Sequence, residues 1–402
     1  MNYSYDEVLD FVEMEDVKFI RLAFCDVFGK QKNISIMPEE LPRAFSQGIS
    51  FDASAIRGFG GQVKSDLLLF PDPRTLNVLP WRPTHGKVVR MFCDIKYPDG
   101  TPFEKDCREI LRRAVSRAKE LGLEVNLGSE MEFYLFKTGE NGEPTDQPFD
   151  RAGYMDVAPD DRGENIRREI CLTLLEMGIQ PESSHHEEGP GQNEIDFRYS
   201  DAMTAADNAM NFQTVVHAVA MRNGLAADFS PKPLSGHSGN GMHINLSVKK
   251  RGGTDMTQLF MAGILAHIRE ITVFLNPGPA SYRRLGEMKA PRYVSWSPEN
   301  RSQLIRIPAA KGSYQRFELR SPDPSANPYL AFAMLIYAGL DGIEKNLPLP
   351  EPVNEDLYSA GPEITAHLPQ LPQSWEEALA LAQHSEFVRQ ALPAGFADLL
   401  VQ

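Results

Sequence analysis

Four segments of the chain carry apolar residues at every second position, and this alternation constrains the fold more than any other feature. Side chains of a β-strand point to opposite faces in turn, so residues two apart share a face. The pattern therefore predicts four strands, each with an apolar back and a polar front, at Leu123–Phe136, Asn193–Tyr199, Met242–Val248 and Arg316–Ser321.

The polar fronts have a narrow chemistry. Glu130 and Glu132 share one face of the first strand, and His243 and Asn245 share one face of the third. A solvated antiparallel sheet is the ordinary interpretation of alternation, but solvated faces usually mix Thr, Ser and Lys. Neighbouring carboxylates repel each other unless a cation separates them, and oxygen-rich sets with one imidazole suit Mg²⁺ or Mn²⁺. We therefore predict a metal-lined cavity. The other front positions are Glu194, Asp196, Arg198, Ser247, Arg316, Glu318 and Arg320.

Arginines are concentrated late in the chain. A solvated basic face is the usual interpretation of such a run, but Arg306 and Arg320 stand among apolar, strand-like residues. Guanidinium groups bind phosphate and carboxylate in pairs of hydrogen bonds, so metals and arginines around one cavity indicate phosphoryl transfer. The sequence contains no GxxxxGK[ST] loop, which disfavours a P-loop fold. The cluster comprises Arg283, Arg284, Arg292, Arg301, Arg306, Arg316 and Arg320.

Composition narrows the class of partner. The 402 residues include 41 Lys and Arg against 55 Asp and Glu, and this acidic balance predicts no nucleic-acid partner because phosphodiester backbones would be repelled. The longest apolar stretch, Tyr329–Leu340, is shorter than the roughly 20 residues that span a bilayer, so we expect no membrane span. The acidic first residues are unlike a secretory leader. Together these features predict a cytoplasmic protein that acts on small molecules.

Two regions are expected along the chain. Alternation at Val17–Ile36 around an Asp-Val-Phe-Gly-Lys turn predicts a β-hairpin within a small β-rich domain, and the turn Pro98-Asp99-Gly100 marks its end. We therefore predict domains at 1–100 and 101–402 and an α+β fold. Helical periodicity predicts helices at Lys105–Gly122, Glu164–Met177, Ala202–Arg222, Asp255–Phe274, Pro328–Lys345 and Trp375–Leu392.

Several ordered motifs resemble the glutamine synthetase family over nearly the whole chain. They are Gly128–Phe133, His185–Glu194, Gly239–His243, Asn300–Ser302, Ile305–Pro308 and Arg316–Leu330. The resemblance implies a β-grasp N-terminal domain and a catalytic domain whose curved antiparallel sheet forms a funnel flanked by helices. It also implies active sites between the subunits of a homo-oligomer, usually a dodecamer of two hexameric rings.

The resemblance also implies roles for individual residues. One metal site corresponds to Glu132, Glu187 and Glu194, and the other to Glu130, His243 and Glu318. The ATP and phosphate contacts correspond to Arg301, Arg306 and Arg316, with Asn245 and Ser247 beside them. The contacts to the amino-acid substrate correspond to Ser238, Gly239, Arg284 and Arg320, and Tyr154 belongs to the ammonium site. The catalytic candidates are Asp52, offered by a neighbouring subunit, Arg306, Glu287 and Lys289.

The implied reaction uses ATP and two or three Mg²⁺ or Mn²⁺ ions. The side-chain carboxylate of glutamate attacks the γ-phosphate of ATP, and an amine then displaces phosphate from the acyl phosphate. A carboxylate must first take a proton from ammonium, because the cation has no free lone pair.

The chain departs from the family pattern around the acceptor pocket. Leu285–Lys289 forms a flap that is one residue short, with Lys289 in place of a catalytic glutamate, and Glu287 is the candidate substitute. Ser238 replaces an asparagine, Asn245 a histidine and Ala55 a serine. Three hypotheses follow: a diverged glutamine synthetase, a γ-glutamyl amide ligase for another amine, and a weak nucleotide-binding regulatory homologue. The third is disfavoured because all six metal-ligand positions are present.

Overall fold

A computed structural model describes residues 3–61, 65–82, 86–310, 312 and 315–401. The first sheet pairs its strands in the order β2-β1-β6-β4-β3, with β5 on β6. Strands β1 and β2 form the expected antiparallel hairpin, while β1 and β6 are parallel. The strands are β1 (Val17–Cys25), β2 (Gln31–Ile36), β3 (Ile49–Asp52), β4 (Asp66–Pro71), β5 (Asn77–Val78) and β6 (Lys87–Lys96).

The second sheet contains the four predicted strands. Its order is β14-β15-β16-β13-β7-β10-β9, and β8, β11 and β12 also pair with β7. The expected antiparallel arrangement holds except between β14 and β15, which are parallel, so the sheet is mixed. The strands are β7 (Leu123–Thr138), β8 (Pro144–Pro148), β9 (Pro181–His186), β10 (Gln192–Phe197), β11 (Ser200–Asp201), β12 (Leu225–Asp228), β13 (Met242–Lys250), β14 (Trp296–Pro298), β15 (Ile305–Ile307) and β16 (Phe317–Leu319).

Helices flank the sheets. They are α1 (Tyr5–Met14), α2 (Leu41–Gln47), α3 (Cys107–Glu120), α4 (Glu164–Glu176), α5 (Ala202–Arg222), α6 (Thr257–Leu275), α7 (Pro279–Arg284), α8 (Pro328–Glu344), α9 (Pro362–Thr365), α10 (Trp375–His384) and α11 (Glu386–Ala391), and short 3₁₀ turns occupy 38–40, 53–55, 73–75 and 396–401. The predicted α+β fold class is confirmed.

Two predicted elements are wrong in extent. The helix expected at Trp375–Leu392 is two helices, because Ser385 leaves the helical conformation and its hydroxyl accepts the backbone N–H of Val388 at 3.0 Å. Serine is a favoured N-cap for this reason. The strand expected from Arg316 is only three residues long, and all three of its residues are buried.

The apolar backs of the strands form the core as predicted. Met131, Ile195 and Ile244 are fully buried. Helices α6 and α8 pack closely against each other because glycines lie at their contact: a Cβ on Gly263 would be 2.1 Å from the carbonyl oxygen of Ala338. Helix α6 is long and apolar enough to cross a membrane by composition alone, but 67% of its apolar window is buried inside the protein.

A buried arginine joins the first sheet to the helices. The Arg108 guanidinium on α3 donates to Asp207 on α5 at 3.1 and 2.9 Å, to Asp94 on β6 at 3.0 Å and to Asp72 at 3.3 Å. Asn327 adds a bond from its amide nitrogen to the carbonyl oxygen of Asp26, at 3.1 Å. These contacts fix the first sheet against α5 and the start of α8.

Candidate active site

Strand register brings the polar fronts together. Glu130 on β7 is paired with His243 on β13, and Glu132 is paired with Glu194 on β10. Glu318 on β16 is paired with Asn245 on one side and with Arg306 on the other. The front residues therefore lie in adjacent rows across four neighbouring strands. Glu194, His243, Asn245, Glu318 and Arg320 are buried, and Glu130 and Glu132 are half-buried, which argues against a solvated sheet face. Arg198 alone among the predicted front positions is exposed.

The predicted metal ligands Glu130, His243 and Glu318 lie close together. Ligand atoms of Glu130, His243 and Glu318 all lie within 4.8 Å of one another. Nδ1 of His243 is 3.6 Å from Oε2 of Glu130 and 3.4 Å from Oε1 of Glu318. Glu318, only 2% exposed, also contacts Nη1 of Arg320 at 2.8 Å and Nη1 of Arg306 at 3.1 Å.

The other predicted metal set, Glu132, Glu187 and Glu194, which we call the second carboxylate set, is arranged differently from the prediction. Among the described residues, compact groups contain Glu132 with Glu194 and His243, and His185 with Glu187 and Glu194, rather than the three predicted glutamates alone. Glu194 is common to both groups. Nε2 of His185 lies 3.3 Å from Glu194, and its Nδ1 lies 3.6 Å from Glu187. The imidazole of His185 therefore belongs to this side of the site.

The carboxylates differ sharply in pKa. Burial disfavours ionisation of Glu130, but the hydrogen bond and charge of His243, with Asn245 and Arg316, hold its pKa at about 2. Burial and the carboxylates of Glu132 and Glu188 instead raise the pKa of Glu187 to about 8.

Two further carboxyl groups behave like Glu187. Burial and Asp196 raise the pKa of Glu194 well above its usual range, and burial and Glu130 raise the pKa of Asp196 to about 7. Oδ1 of Asp196 is buried and has no hydrogen-bond partner among the residues that the structure describes. Crowded carboxyl groups of this kind fit a divalent cation, because a positive ion among them would offset both burial and mutual repulsion.

Two cavities meet at Glu130. One, of about 250 Å³, is lined by Asn245, Ser247 and Arg316 together with Asp196 and Gln315. The other, of about 210 Å³, contains most of the remaining predicted residues: Glu132, Tyr154, Glu187, Glu194, Ser238, Gly239, His243, Arg284, Glu287, Lys289, Arg301 and Arg320. Within the described part of the chain, Asp52, Arg306 and Glu318 line neither cavity. Glu318 contacts His243, which lines the second cavity, and Arg306 contacts Glu318.

Asp52 lies in the first sheet, away from these cavities. It ends β3, is exposed, and accepts the backbone N–H and the hydroxyl of Ser54 at 2.9 and 2.6 Å. These hydrogen bonds lower the pKa of Asp52. The carboxylate is thus ionised and faces outward from its own chain.

The expected contacts to the amino-acid substrate surround the second cavity. Gly239 needs its lack of a side chain, since a Cβ there would be 2.3 Å from the carbonyl oxygen of Pro231 and 3.0 Å from Cγ of Arg284. The buried Arg284 donates to the carbonyl oxygens of Ser321 at 2.8 Å and Arg320 at 3.3 Å. The arginine is therefore fixed in position at the cavity wall.

The flap closes the second cavity on one side. The Lys289 ammonium forms an ion pair with Glu188 and lies 5.8 Å from the centre of the Tyr154 ring. The hydroxyl of Tyr358 shares its one proton between the carbonyl oxygens of Lys289 at 2.5 Å and Arg301 at 2.9 Å. Lys289 therefore faces the cavity with a carboxylate partner, which the sequence did not predict.

A buried pair stands behind Glu187. The imidazole of His186 has Nε2 at 2.8 Å from Oδ1 of Asp150 and Nδ1 at 2.6 Å from the carbonyl oxygen of Glu187. The same Oδ1 accepts the backbone N–H of Gly191 at 3.0 Å. Asp150 consequently holds both ends of the loop that carries Glu187. Sequence reasoning missed this pair, since Asp150 is distant in sequence and lies in no recognisable motif.

Comparisons with known proteins agree over the whole chain. The glutamine synthetase β-grasp domain matches residues 16–98, and the glutamine synthetase catalytic domain matches residues 104–401. Glutamine synthetases of Clostridium saccharobutylicum, Methanosarcina mazei and Staphylococcus aureus are 45%, 44% and 43% identical, over 97%, 96% and 97% of this chain and 91%, 90% and 91% of their own.

Solved structures give the same result. A structure of GmaS in complex with ADP and one of GmaS without ligand each match with a TM-score of 0.89, at 28% and 29% sequence identity. The alignments cover 100% and 98% of this chain and 94% of each GmaS chain. With its motifs, both domains and close relatives in agreement, the chain belongs to the glutamine synthetase family.

Proposed function

We propose that this protein is a glutamine synthetase, which uses ATP to activate the γ-carboxylate of glutamate and then amidates it with ammonia. The observation that carries this proposal is the meeting of two carboxylate-rich cavities at Glu130, with arginines on both sides. Identity of 43–45% to glutamine synthetases over nearly the full length supports the reaction.

Phosphoryl transfer requires the protein to offset negative charge as it moves from ATP to glutamate. Divalent ions held by Glu130, His243 and Glu318, and by Glu132, Glu187 and Glu194, would supply much of that positive charge. Either Mg²⁺ or Mn²⁺ suits these ligands, in two or three positions.

The remaining roles belong to the protein's own side chains. In the first cavity, we assign ATP and phosphate binding to Arg316 with Asn245 and Ser247, and Arg306 and Arg301 complete the phosphate contacts. In the second cavity, Ser238, Gly239, Arg284 and Arg320 are assigned to glutamate and Tyr154 to the amine. A γ-carboxylate oxygen of glutamate attacks the γ-phosphorus as ADP leaves, and the amine nitrogen then attacks the acyl carbon as phosphate leaves.

The assembly and location are also part of the proposal. Because the Asp52 carboxylate faces outward from its own chain, we assign it to the active site of a neighbouring subunit in a homo-oligomer, a dodecamer of two hexameric rings. We further assign domains at 1–100 and 101–402 and a cytoplasmic location. Size measured by light scattering tests the assembly, since a stable monomer would contradict it.

A second candidate is ligation of another amine to glutamate. It is favoured by Lys289, which places a positive charge on the wall of the cavity that contains Tyr154, the residue assigned to the amine. The candidate catalytic acid Glu287 lines the same cavity.

The deciding experiment measures glutamate-dependent ADP formation with Mg²⁺ or Mn²⁺, using ammonium, methylammonium and a panel of larger amines. Product is identified by mass spectrometry. Glutamine formation with ammonium as the preferred amine supports the proposal, and preference for another amine supports the second candidate. Metal and nucleotide binding without turnover on any pair would instead indicate a regulatory homologue.

A further inference from the structure

Glu188 follows Glu187 in the loop between β9 and β10 and lines the second cavity. Its two carboxylate oxygens have separate partners. Oε1 pairs with the Lys289 ammonium, and Oε2 accepts a hydrogen bond from the Ser238 hydroxyl at 3.3 Å. Among the described residues, Glu188 belongs to none of the compact groups that could hold a metal. Glu188 thus pairs with an ammonium group and stands apart from the two metal sets.

The contacts of the Lys289 side chain define the groups that surround a cation at Glu188. Its Nζ is a primary alkylammonium group held between the Glu188 carboxylate and the ring of Tyr154, 5.8 Å from the ring centre. A carboxylate together with an aromatic face is a favourable environment for an ammonium cation. The acceptor amine is itself an ammonium ion at neutral pH, so it can take the same contacts.

The lysine can be displaced at little cost. Its side chain is 60% exposed and that of Glu188 is 33% exposed, and ion pairs in such positions contribute little to stability. The flap backbone is held independently, by the Tyr358 hydroxyl on the Lys289 carbonyl oxygen. The long side chain can therefore leave Glu188 while the flap stays in place.

The position also suits the reaction. The backbone N–H of Glu188 donates to Oε2 of Glu187 at 3.1 Å, so the site adjoins the second carboxylate set. We propose that Glu188 binds the acceptor amine as its ammonium cation, and that Lys289 occupies this place until the amine displaces it. The inference rests on the proposed function, because it concerns the amine of that same reaction.

The test measures KM for ammonium and for methylammonium at saturating ATP and glutamate. Removing the competitor in Lys289→Gln should lower KM for the amine about threefold, and removing the carboxylate in Glu188→Gln should raise it about fivefold, the upper range for an ion pair that is partly exposed. The double variant should behave like Glu188→Gln, because Lys289 acts only through that carboxylate. KM values for ATP and glutamate should not change.

A matched control is Lys345→Gln, which removes an equally exposed lysine, 61%, from its ion pair with Asp341. It should leave every kinetic constant unchanged, and thermal unfolding verifies that all variants are folded. The inference is overturned if both single variants move KM for the amine in the same direction, if neither moves it, or if KM for glutamate changes instead. A wild-type protein without glutamate-dependent ADP formation would overturn the proposed function itself, a result independent of Glu188.

Discussion

Asp150→Asn tests whether the buried contacts of Asp150 with His186 and Gly191 position the loop that carries Glu187. Both nitrogens of His186 face oxygen acceptors, the Asp150 carboxylate and the Glu187 carbonyl, an arrangement that favours the doubly protonated ring. Burial disfavours the charged ring, but the hydrogen bond and charge of Asp150 raise the pKa of His186 above its usual value. The other carboxylate oxygen, Oδ2, accepts the backbone N–H of Arg162 at 3.0 Å. Asparagine keeps the shape, removes the charge and turns an amide N–H₂ group toward one of these donors.

The magnitude follows from the lost contact. One hydrogen bond involving a charged group contributes about 1.5–3 kcal/mol, and a similar loss of unfolding free energy is expected for Asp150→Asn. Part of the loss is local, because Asp150 ties His186 to Gly191 across the loop. Outer partners of metal ligands typically affect metal affinity by about 10–100-fold, and we expect a decrease within that range.

Calorimetric titration with Mn²⁺ measures the affinity, and urea unfolding measures the stability. Asp160→Asn is the matched control, since Asp160 is an exposed carboxylate in the neighbouring loop. If Asp150→Asn is destabilised but binds Mn²⁺ as tightly as the wild type, the pair supports only the fold and the positioning argument is refuted. Equal loss of affinity in Asp160→Asn would point to a general charge effect.

Four other outcomes are expected. Glu132→Ala and Glu318→Ala should each abolish glutamate-dependent ADP formation, and retained activity in both would contradict the metal assignment. Arg108→Met removes the partner of buried carboxylates and should lower the free energy of unfolding in urea by about 3–5 kcal/mol. An unchanged urea midpoint would show that the contacts of Arg108 between the first sheet and the helices do not stabilise the fold. Burial would raise the pKa of Asp72, but Arg74 and Arg108 outweigh it and lower that pKa. The contribution of the Asp72 carboxylate to stability is therefore complete above about pH 4, the usual aspartate pKa, and is lost as the pH falls through the lowered pKa. Acid unfolding curves of the wild type and Arg108→Met should consequently converge at low pH. Gly263→Ala should lower the melting temperature, because its Cβ would meet a carbonyl oxygen at 2.1 Å, and an unchanged melting temperature would show that α6 and α8 separate freely.

The sequence predicted the strands well because period-two alternation is a local signal. Met131, Ile195 and Ile244 fell on the buried face as expected. Local signals were less informative where a single residue decides the geometry, as at Ser385, whose cap divides a helix that periodicity alone treats as continuous. The short length of β16 could not be predicted from the sequence either, because it depends on pairing with β13 and β15.

The site was predicted in composition but not in its internal pairing. Alternation placed Asp196 on the same face as Glu194, so its position was visible in the sequence, yet its entry into a compact group with Glu130 depends on register. The contact between Glu188 and Lys289 joins two loops about a hundred residues apart, and no periodicity records such a contact. Strand periodicity thus predicts which residue types share a face of the sheet, whereas contacts between loops can be identified only from the three-dimensional structure.

Strand register also explains why the two sides of the site should differ in their need for metal. Glu130 has His243 opposite it and accepts a hydrogen bond from the amide nitrogen of Asn245 at 2.7 Å, so the protein itself supplies positive and polar partners. Glu194 instead has a carboxylate, Glu132, opposite it on β7. Repulsion on that side has to be offset from outside, because carboxyl groups outnumber the imidazoles of His185 and His243 among the described neighbours of Glu194. Loss of divalent metal should therefore disturb the Glu194 side first, and the low pKa of Glu130 follows from neighbours that the sheet provides without any ion.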